Sequence, residues 1–326
     1  MPAPITTILV PLDGSELAEQ ALPLAIALAR ASGADLHLTH VFVPYAERTE
    51  MPAGTITIAE IERHLEEQSE EYLREVTERI GRELPGQLHA DPVRARPIRS
   101  PYSETVAVVD RLRRAATRLQ ADLIVLATHA RGGLGRAWLG SVADALIRRV
   151  NVPTLLVHPR DGAPIPSTIF RHILVPLDGS ALAEDSLALA TRLAALGDAR
   201  ITLLRAVVPQ LAIARPSTVL QFNVQQLDAY ESEARRYLET VAASLRHAVP
   251  SLETVVIVAE SPARAVLEFA SQHGVDLVAM STHGRSGFRR FMLGSVADKV
   301  VRGAHCPVLL TRPMDASSES VVGDGQ

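Results

Sequence analysis

Apolar residues recur with two alternating periods along this chain of 326 residues. Short runs that are apolar at nearly every position, and rich in β-branched residues, read as strands buried on both faces. Longer stretches with apolar residues three and four apart read as amphipathic helices. The pattern predicts strands over residues 7–12, 36–43, 93–98, 123–127 and 154–157, with helices over 15–31, 58–84, 103–119 and 141–149. The same order returns as strands over 173–177, 200–208, 254–259, 277–281 and 308–310, with helices over 182–196, 224–247, 263–273 and 295–302. Pro23 lies inside the first helix and should kink it. Ala188 holds the corresponding place in the second half, whose helix should run straighter.

The return is literal in places. Ile8-Leu9-Val10-Pro11-Leu12-Asp13-Gly14-Ser15 recurs letter for letter at 173–180, an offset of 165 (178 − 13). Leu139-Gly140-Ser141-Val142-Ala143-Asp144 recurs at 293–298, an offset of 154 (294 − 140). Units this long are tandem domains and not solenoid repeats. The expected division is a first domain over 1–159, a linker over 160–169 holding Gly162, Pro164 and Pro166, a second domain over 170–313, and a disordered Ser-, Gly- and acid-rich tail over 314–326.

Strands alternating with helices imply an α/β fold, a parallel sheet covered on both faces. Ligands of such sheets sit outside the C-terminal strand ends, where the strand order reverses. The last strand of each half is a sheet edge that needs covering. Pairing of the two within the chain is expected, with a homodimer of chains as a further arrangement.

Composition narrows the classes. Lys+Arg 33 against Asp+Glu 37 gives a net charge of −4, which argues against a general nucleic-acid binder. At 47% hydrophobic and 21% charged residues the chain is globular in composition. Lys299 is the single lysine, so a Walker-type phosphate loop is excluded. Cys306 is the single cysteine, which rules out an intrachain disulfide and a cysteine-based zinc cluster, and reads as a small buried hydrophobe. With no long apolar run and no leader-like start, the expectation is a cytoplasmic protein without a membrane partner.

Chemistry gathers at the predicted strand ends. Asp13 and Asp178 follow the first strand of each half, where a carboxylate can accept from ribose hydroxyls or an adenine amino group; an Asp-Gly turn before a Ser-capped helix explains them equally well. The fourth strand ends in Ala127-Thr128-His129-Ala130 in one half and Ser281-Thr282-His283-Gly284 in the other. Each is followed by a loop and then Gly140-Ser141 or Gly294-Ser295 at a helix start, a natural seat for phosphate. Arg131, Arg136, Arg285, Arg289 and Arg290 offer neutralising charge. Ser141-x-x-Asp144 and Ser295-x-x-Asp298 also read as capping boxes with Asp in place of Glu. His129 and His283 have no second ligand at metal spacing, so no metal site and no catalytic residue is assigned.

Taken in order, and twice, these motifs resemble the universal stress protein domain over nearly the whole of each half. The resemblance implies two Rossmann-like domains of the adenine nucleotide α-hydrolase type, each a five-stranded parallel sheet in the order 3-2-1-4-5. It implies binding of ATP or AMP, with Mg²⁺ arriving on the phosphates and occupancy serving as a regulatory state. The nucleotide-binding pattern of that family, Gly-x2-Gly-x9-Gly-[Ser/Thr], falls on Ser281, Gly284 and Gly294-Ser295 in the second half, with one glycine replaced. In the first half Ala127 and Ala130 replace two, leaving Gly140-Ser141. The resemblance therefore favours a second-half site of Pro176, Leu177, Asp178, Ala206, Met280, Ser281, Gly284, Arg285, Gly294, Ser295 and Val296. A weaker first-half counterpart comprises Pro11, Leu12, Asp13, Val41, Leu126, Ala127, Arg131, Gly140, Ser141 and Val142. Alternatives are an interaction module without nucleotide, the first half especially, and an enzyme with slow ATP hydrolysis or α-hydrolase activity. The protein partner and the stress are left open.

Overall fold

The computed structural model describes residues 4–43, 58–94, 104–128, 139–158, 169–209, 224–282 and 293–312. The first half supplies β1 (Thr7–Leu12), α1 (Glu16–Glu19), α2 (Leu22–Ser32), β2 (Asp35–Phe42), α3 (Ile58–Ile80), β3 (Leu88–Arg94), α4 (Glu104–Arg118), β4 (Leu123–Ala127), α5 (Ser141–Arg149) and β5 (Thr154–Val157). The second supplies β6 (His172–Pro176), α6 (Ala181–Gly197), β7 (Arg200–Val207), α7 (Val224–Leu245), β8 (Leu252–Val258), α8 (Pro262–Gln272), β9 (Leu277–Ser281), α9 (Ser295–Gly303) and β10 (Val308–Thr311).

All ten strands form one sheet in the order β3-β2-β1-β4-β5-β10-β9-β6-β7-β8. Each half has the expected 3-2-1-4-5 order and is parallel throughout. The halves join where β5 and β10 pair antiparallel, with Leu155 opposite Leu309 and Leu156 opposite Val308. The expected pairing of the two last strands is therefore made within the chain.

Alternate strand residues feed two cores. Ile8, Val10, Leu155 and Leu309 face α2, α3, α6 and α7. Leu9, Leu156, Val308 and Leu310 face α4, α5, α8 and α9. Both cores run unbroken across the seam. Two side chains reinforce it with reciprocal bonds: His158 Nε2 donates to the Val301 carbonyl at 2.7 Å, and Arg312 Nη1 donates to the Arg148 carbonyl at 2.7 Å.

Three sequence expectations need correction. The first helix is not kinked but broken into α1 and α2, and Pro23 sits in the first turn of α2. Proline has no N–H to give and its ring crowds the carbonyl four residues back, so the helix stops at Glu19 and restarts. With Ala188 in that place, α6 runs unbroken for 17 residues. The third strand lies at Leu88–Arg94, N-terminal to the expected 93–98, and includes Pro92. Proline is tolerated there because β3 is an outer edge of the sheet. Finally, neither capping box forms: Gly140 and Gly294 are the N-caps of α5 and α9, no side chain caps either helix, and Asp144 and Asp298 pair instead with Arg148 and Arg302.

Leu155 and Leu309 are register partners and fully buried. Truncating either to alanine should cost about 2–5 kcal/mol in denaturant unfolding of the full chain. The double variant should lose less than the two losses added together, because the side chains share one contact.

Candidate functional site

The first strand of each half delivers its carboxylate by one local device. Asp178 Oδ1 accepts from Ser180 N at 2.9 Å and Ser180 Oγ at 2.6 Å, and Ser180 Oγ in turn accepts from Ala183 N at 3.2 Å, capping α6. Asp13, Ser15 and Ala18 repeat the arrangement with distances of 3.0, 2.6 and 3.1 Å. The intervening Gly14 and Gly179 have φ of +81° and +87°, a conformation that favours glycine. The Asp-Gly turn with a Ser cap is thus real, and it also fixes the carboxylate at the C-terminal end of the strand.

In the second half that end opens into a cavity of about 560 Å³. Nine of the eleven expected residues line it: Pro176, Leu177, Asp178, Ala206, Met280, Ser281, Gly294, Ser295 and Val296. Gly284 and Arg285 lie outside the described residues, as do Arg131, His129, His283, Ala130, Arg136, Arg289 and Arg290. Met280 and Ala206 give the cavity an apolar side. The N-terminus of α9 forms another part of the lining. There Asp298 N makes the first helical bond, to Gly294 O at 2.8 Å, and Gly294 N is used on Thr282 O at 2.8 Å. The helix itself offers no carbonyl to the N–H groups of Ser295, Val296 and Ala297, and all three residues line the cavity. Because Gly294 is the cap, the Ser295 hydroxyl is not spent on capping.

Sequence reasoning missed Arg205, Tyr230, Glu233 and Pro262, which also line this cavity. Arg205 was within reach: the offset of 165 that carries Asp13 to Asp178 carries His40 to Arg205. Its guanidinium carbon lies 4.9 Å from the centre of the Tyr237 ring, a cation–π contact. It also lies against the backbone of Gly179, where an added Cβ would meet it at 3.1 Å. Tyr237 Oη donates to Glu184 Oε1 at 2.8 Å. Burial, and then this bond to a carboxylate, push the Tyr237 hydroxyl well above the usual tyrosine range.

The first half keeps the frame and changes the charge. Tyr72 Oη donates to Glu19 Oε1 at 3.1 Å, matching Tyr237 and Glu184. His40 replaces Arg205, with Nδ1 2.7 Å from Ser69 Oγ and its ring edge-on to Tyr72. Pro11, Leu12, Asp13, Val41, Leu126 and Ala127 sit at the C-terminal ends of β1, β2 and β4, and Gly140, Ser141 and Val142 begin α5. The offset of 154 sets residue 104, the start of α4, against residue 258, whereas α8 starts at 262, so α4 has an extra N-terminal turn. Thr105 on that turn donates from Oγ1 to Ser141 Oγ at 3.3 Å. In the second half Ser261 caps α8 and Pro262 lines the cavity instead.

A model of the universal stress protein family matches residues 4–158 and again 169–312. The chain belongs to the universal stress protein family. A universal stress protein of Mycobacterium tuberculosis is 32% identical over 196 residues, which cover 59% of this chain and 62% of that relative, so the match spans less than two thirds of its length. Another, from Mycolicibacterium smegmatis, is 26% identical over 307 residues, 94% of this chain and 97% of its own. The solved universal stress protein of Archaeoglobus fulgidus superposes with a TM-score of 0.64 at 17% identity, over 96% of this chain and 98% of that one, and shows the shared fold. No helix among the described residues is long and apolar enough to cross a membrane.

Two histidines of this universal stress protein, the half-buried His40 and the buried His172, set a pH dependence. Burial lowers the pKa of His40, and Asp13 offsets part of that. Burial likewise lowers His172, which is 3% exposed. Each folded pKa lies below the unfolded value of about 6.5. The unfolded chain therefore takes up protons first as pH falls. Stability should decline as pH drops through about 6.5 and level off once the folded histidines are protonated. Urea midpoints measured between about pH 7.5 and 5 should show this slope. H40Q should reduce this slope and H40Q/H172N should reduce it further.

Proposed function

We propose that this universal stress protein binds one adenine nucleotide, ATP or AMP, in the second-half cavity, and that occupancy is its regulatory state. The observation that carries the reading is the meeting, in one cavity, of Asp178, the apolar Met280 and Ala206, and the N-terminus of α9. The cavity falls within the roughly 300–1,000 Å³ that small-molecule sites occupy. In this reading the base packs against Ala206 and Met280, and Asp178 accepts from ribose hydroxyls. The phosphates face the first-turn N–H groups and hydroxyl at Ser295, with Gly284 and Arg285 as the further residues that the family's pattern assigns to this site and Mg²⁺ carried in on the phosphates. Arg205 adds a fixed positive charge at the rim. No group is assigned to catalysis, and slow hydrolysis is the most the site would support.

The first half is the weaker site in this reading. Ala127 and Ala130 stand where the family's pattern has glycine, Ser141 is engaged by Thr105, and His40 replaces a permanent cation. That half serves the seam, and its own surfaces are free for a protein partner. The domain limits proposed are 1–159 and 170–313. Because β5 and β10 cover each other, a homodimer of chains would need a different surface.

Adenine nucleotide released on denaturing the gently purified protein should amount to about one per chain. Ser295→Glu should abolish it, since a carboxylate at α9's N-terminus repels phosphate while favouring the helix itself. Loss of nucleotide in that variant is then not a folding defect. Ser141→Glu should leave the stoichiometry unchanged. Two nucleotides per chain would overturn the asymmetry. None, even after incubation with Mg-ATP, would leave the interaction module.

A further inference from the structure

At the opposite end of the first-half sheet, Asp35, His37 and His89 bring one ligand atom each to within 4.8 Å of one another. The sequence hides the group, because His89 lies far along the chain from the other two. The sheet assembles it. Asp35 and His37 are two apart on β2 and share a face, and His37 is the register partner of His89 on the parallel β3. The two imidazole rings stack with centroids 4.6 Å apart at 18°, and His89 Nε2 lies 3.5 Å from Asp35 Oδ1. The backbone beneath is pinned on both sides: Asp35 N donates to Thr6 O at 2.8 Å and Leu36 N to Gln87 O at 2.7 Å.

We propose that these three residues form a binding site for a late first-row divalent cation, zinc foremost, separate from the nucleotide cavity. Two imidazoles and one carboxylate are the borderline donor set that zinc favours, and three protein ligands leave a fourth position for water. Bond lengths of about 2.0–2.2 Å require the donors to close further. Side-chain rotation on Asp35 and His89, both exposed, achieves this without moving the strands.

The second half shows the same strand positions put to another use. The β7 counterparts are Arg200 and Thr202, with Glu253 opposite Thr202 on β8. Arg200 Nη2 lies 2.9 Å from His172 Nδ1, and His172 Nε2 lies 2.8 Å from Thr202 Oγ1. A guanidinium there excludes a cation, so one site per chain is expected.

The test is zinc titration of the full chain, stripped of metal and nucleotide, against a chromophoric chelator. Cobalt(II) serves as a spectroscopic probe of geometry. The wild type should take up one equivalent more tightly than the chelator, show tetrahedral cobalt absorption, and unfold at a higher temperature with zinc. H37Q/H89Q should lose the equivalent, the absorption and the thermal shift together. Asp35→Asn, an exposed change that leaves the core untouched, should weaken binding and so decides the matter if the double variant folds poorly. No uptake by the wild type, or uptake that survives in both variants, would overturn the proposal.

Discussion

The antiparallel pairing of β5 with β10 is the constraint on which the rest of this molecule depends. Each is a four-residue strand, and each would otherwise be an unpaired edge of a parallel sheet. Their pairing turns two five-stranded sheets into one and makes each core continuous with its counterpart. The reciprocal bonds from His158 and Arg312 reach across to the ends of α9 and α5. Those two helices are the ones that begin at Gly140 and Gly294, and the N-terminus of α9 lines the second-half cavity. The seam therefore fixes the far ends of the two helices that start from a glycine N-cap, and it does so in both halves.

With α9 held at one end, its other end is left chemically open, whereas Thr105 engages Ser141 at the start of α5. A glycine N-cap uses no side chain, so α9 presents N–H groups and a serine hydroxyl that a capping box would have consumed. The Asp-Gly-Ser turn acts in the opposite sense. It satisfies its own donors internally, and by doing so holds Asp178 rigidly at the rim of the cavity. The lining of the site thus combines an unspent helix terminus, which offers donors, with a fully bonded turn, which holds an acceptor.

Most of the fold was legible in the sequence because the strands are near-continuous apolar runs and because the chain states its pattern twice. The boundaries that failed did so for local reasons. Pro23 splits a helix outright because it lacks an N–H and its ring crowds the Glu19 carbonyl, and Pro92 hides an edge strand because proline normally argues against one. The capping boxes failed because Asp144 and Asp298 have arginines one turn ahead, Arg148 and Arg302, which compete for the carboxylate. Of the site, the residues carried by motif were legible. Arg205, Tyr230, Glu233 and Pro262 were not, since they lie outside the motifs, on β7, α7 and the start of α8, and meet only when the fold brings those elements together. Arg205 had a signal in its repeat offset from His40.

Comparison of the two halves shows how duplication distributes constraint. The positions that make the turns and brace the first helix stay alike: Asp13 and Asp178, Ser15 and Ser180, Glu19 with Tyr72 and Glu184 with Tyr237. The positions that meet solvent at either end of the strands differ in charge: His40 against Arg205 at the C-terminal end, Asp35 and His37 against Arg200 and Thr202 at the N-terminal end. A sheet residue facing the buried layers is constrained by packing on both sides, whereas one at a strand end has only the ladder to satisfy and can change charge without disturbing either core. Each half therefore keeps the frame that holds the other in place, while its strand ends are free to acquire separate chemistry.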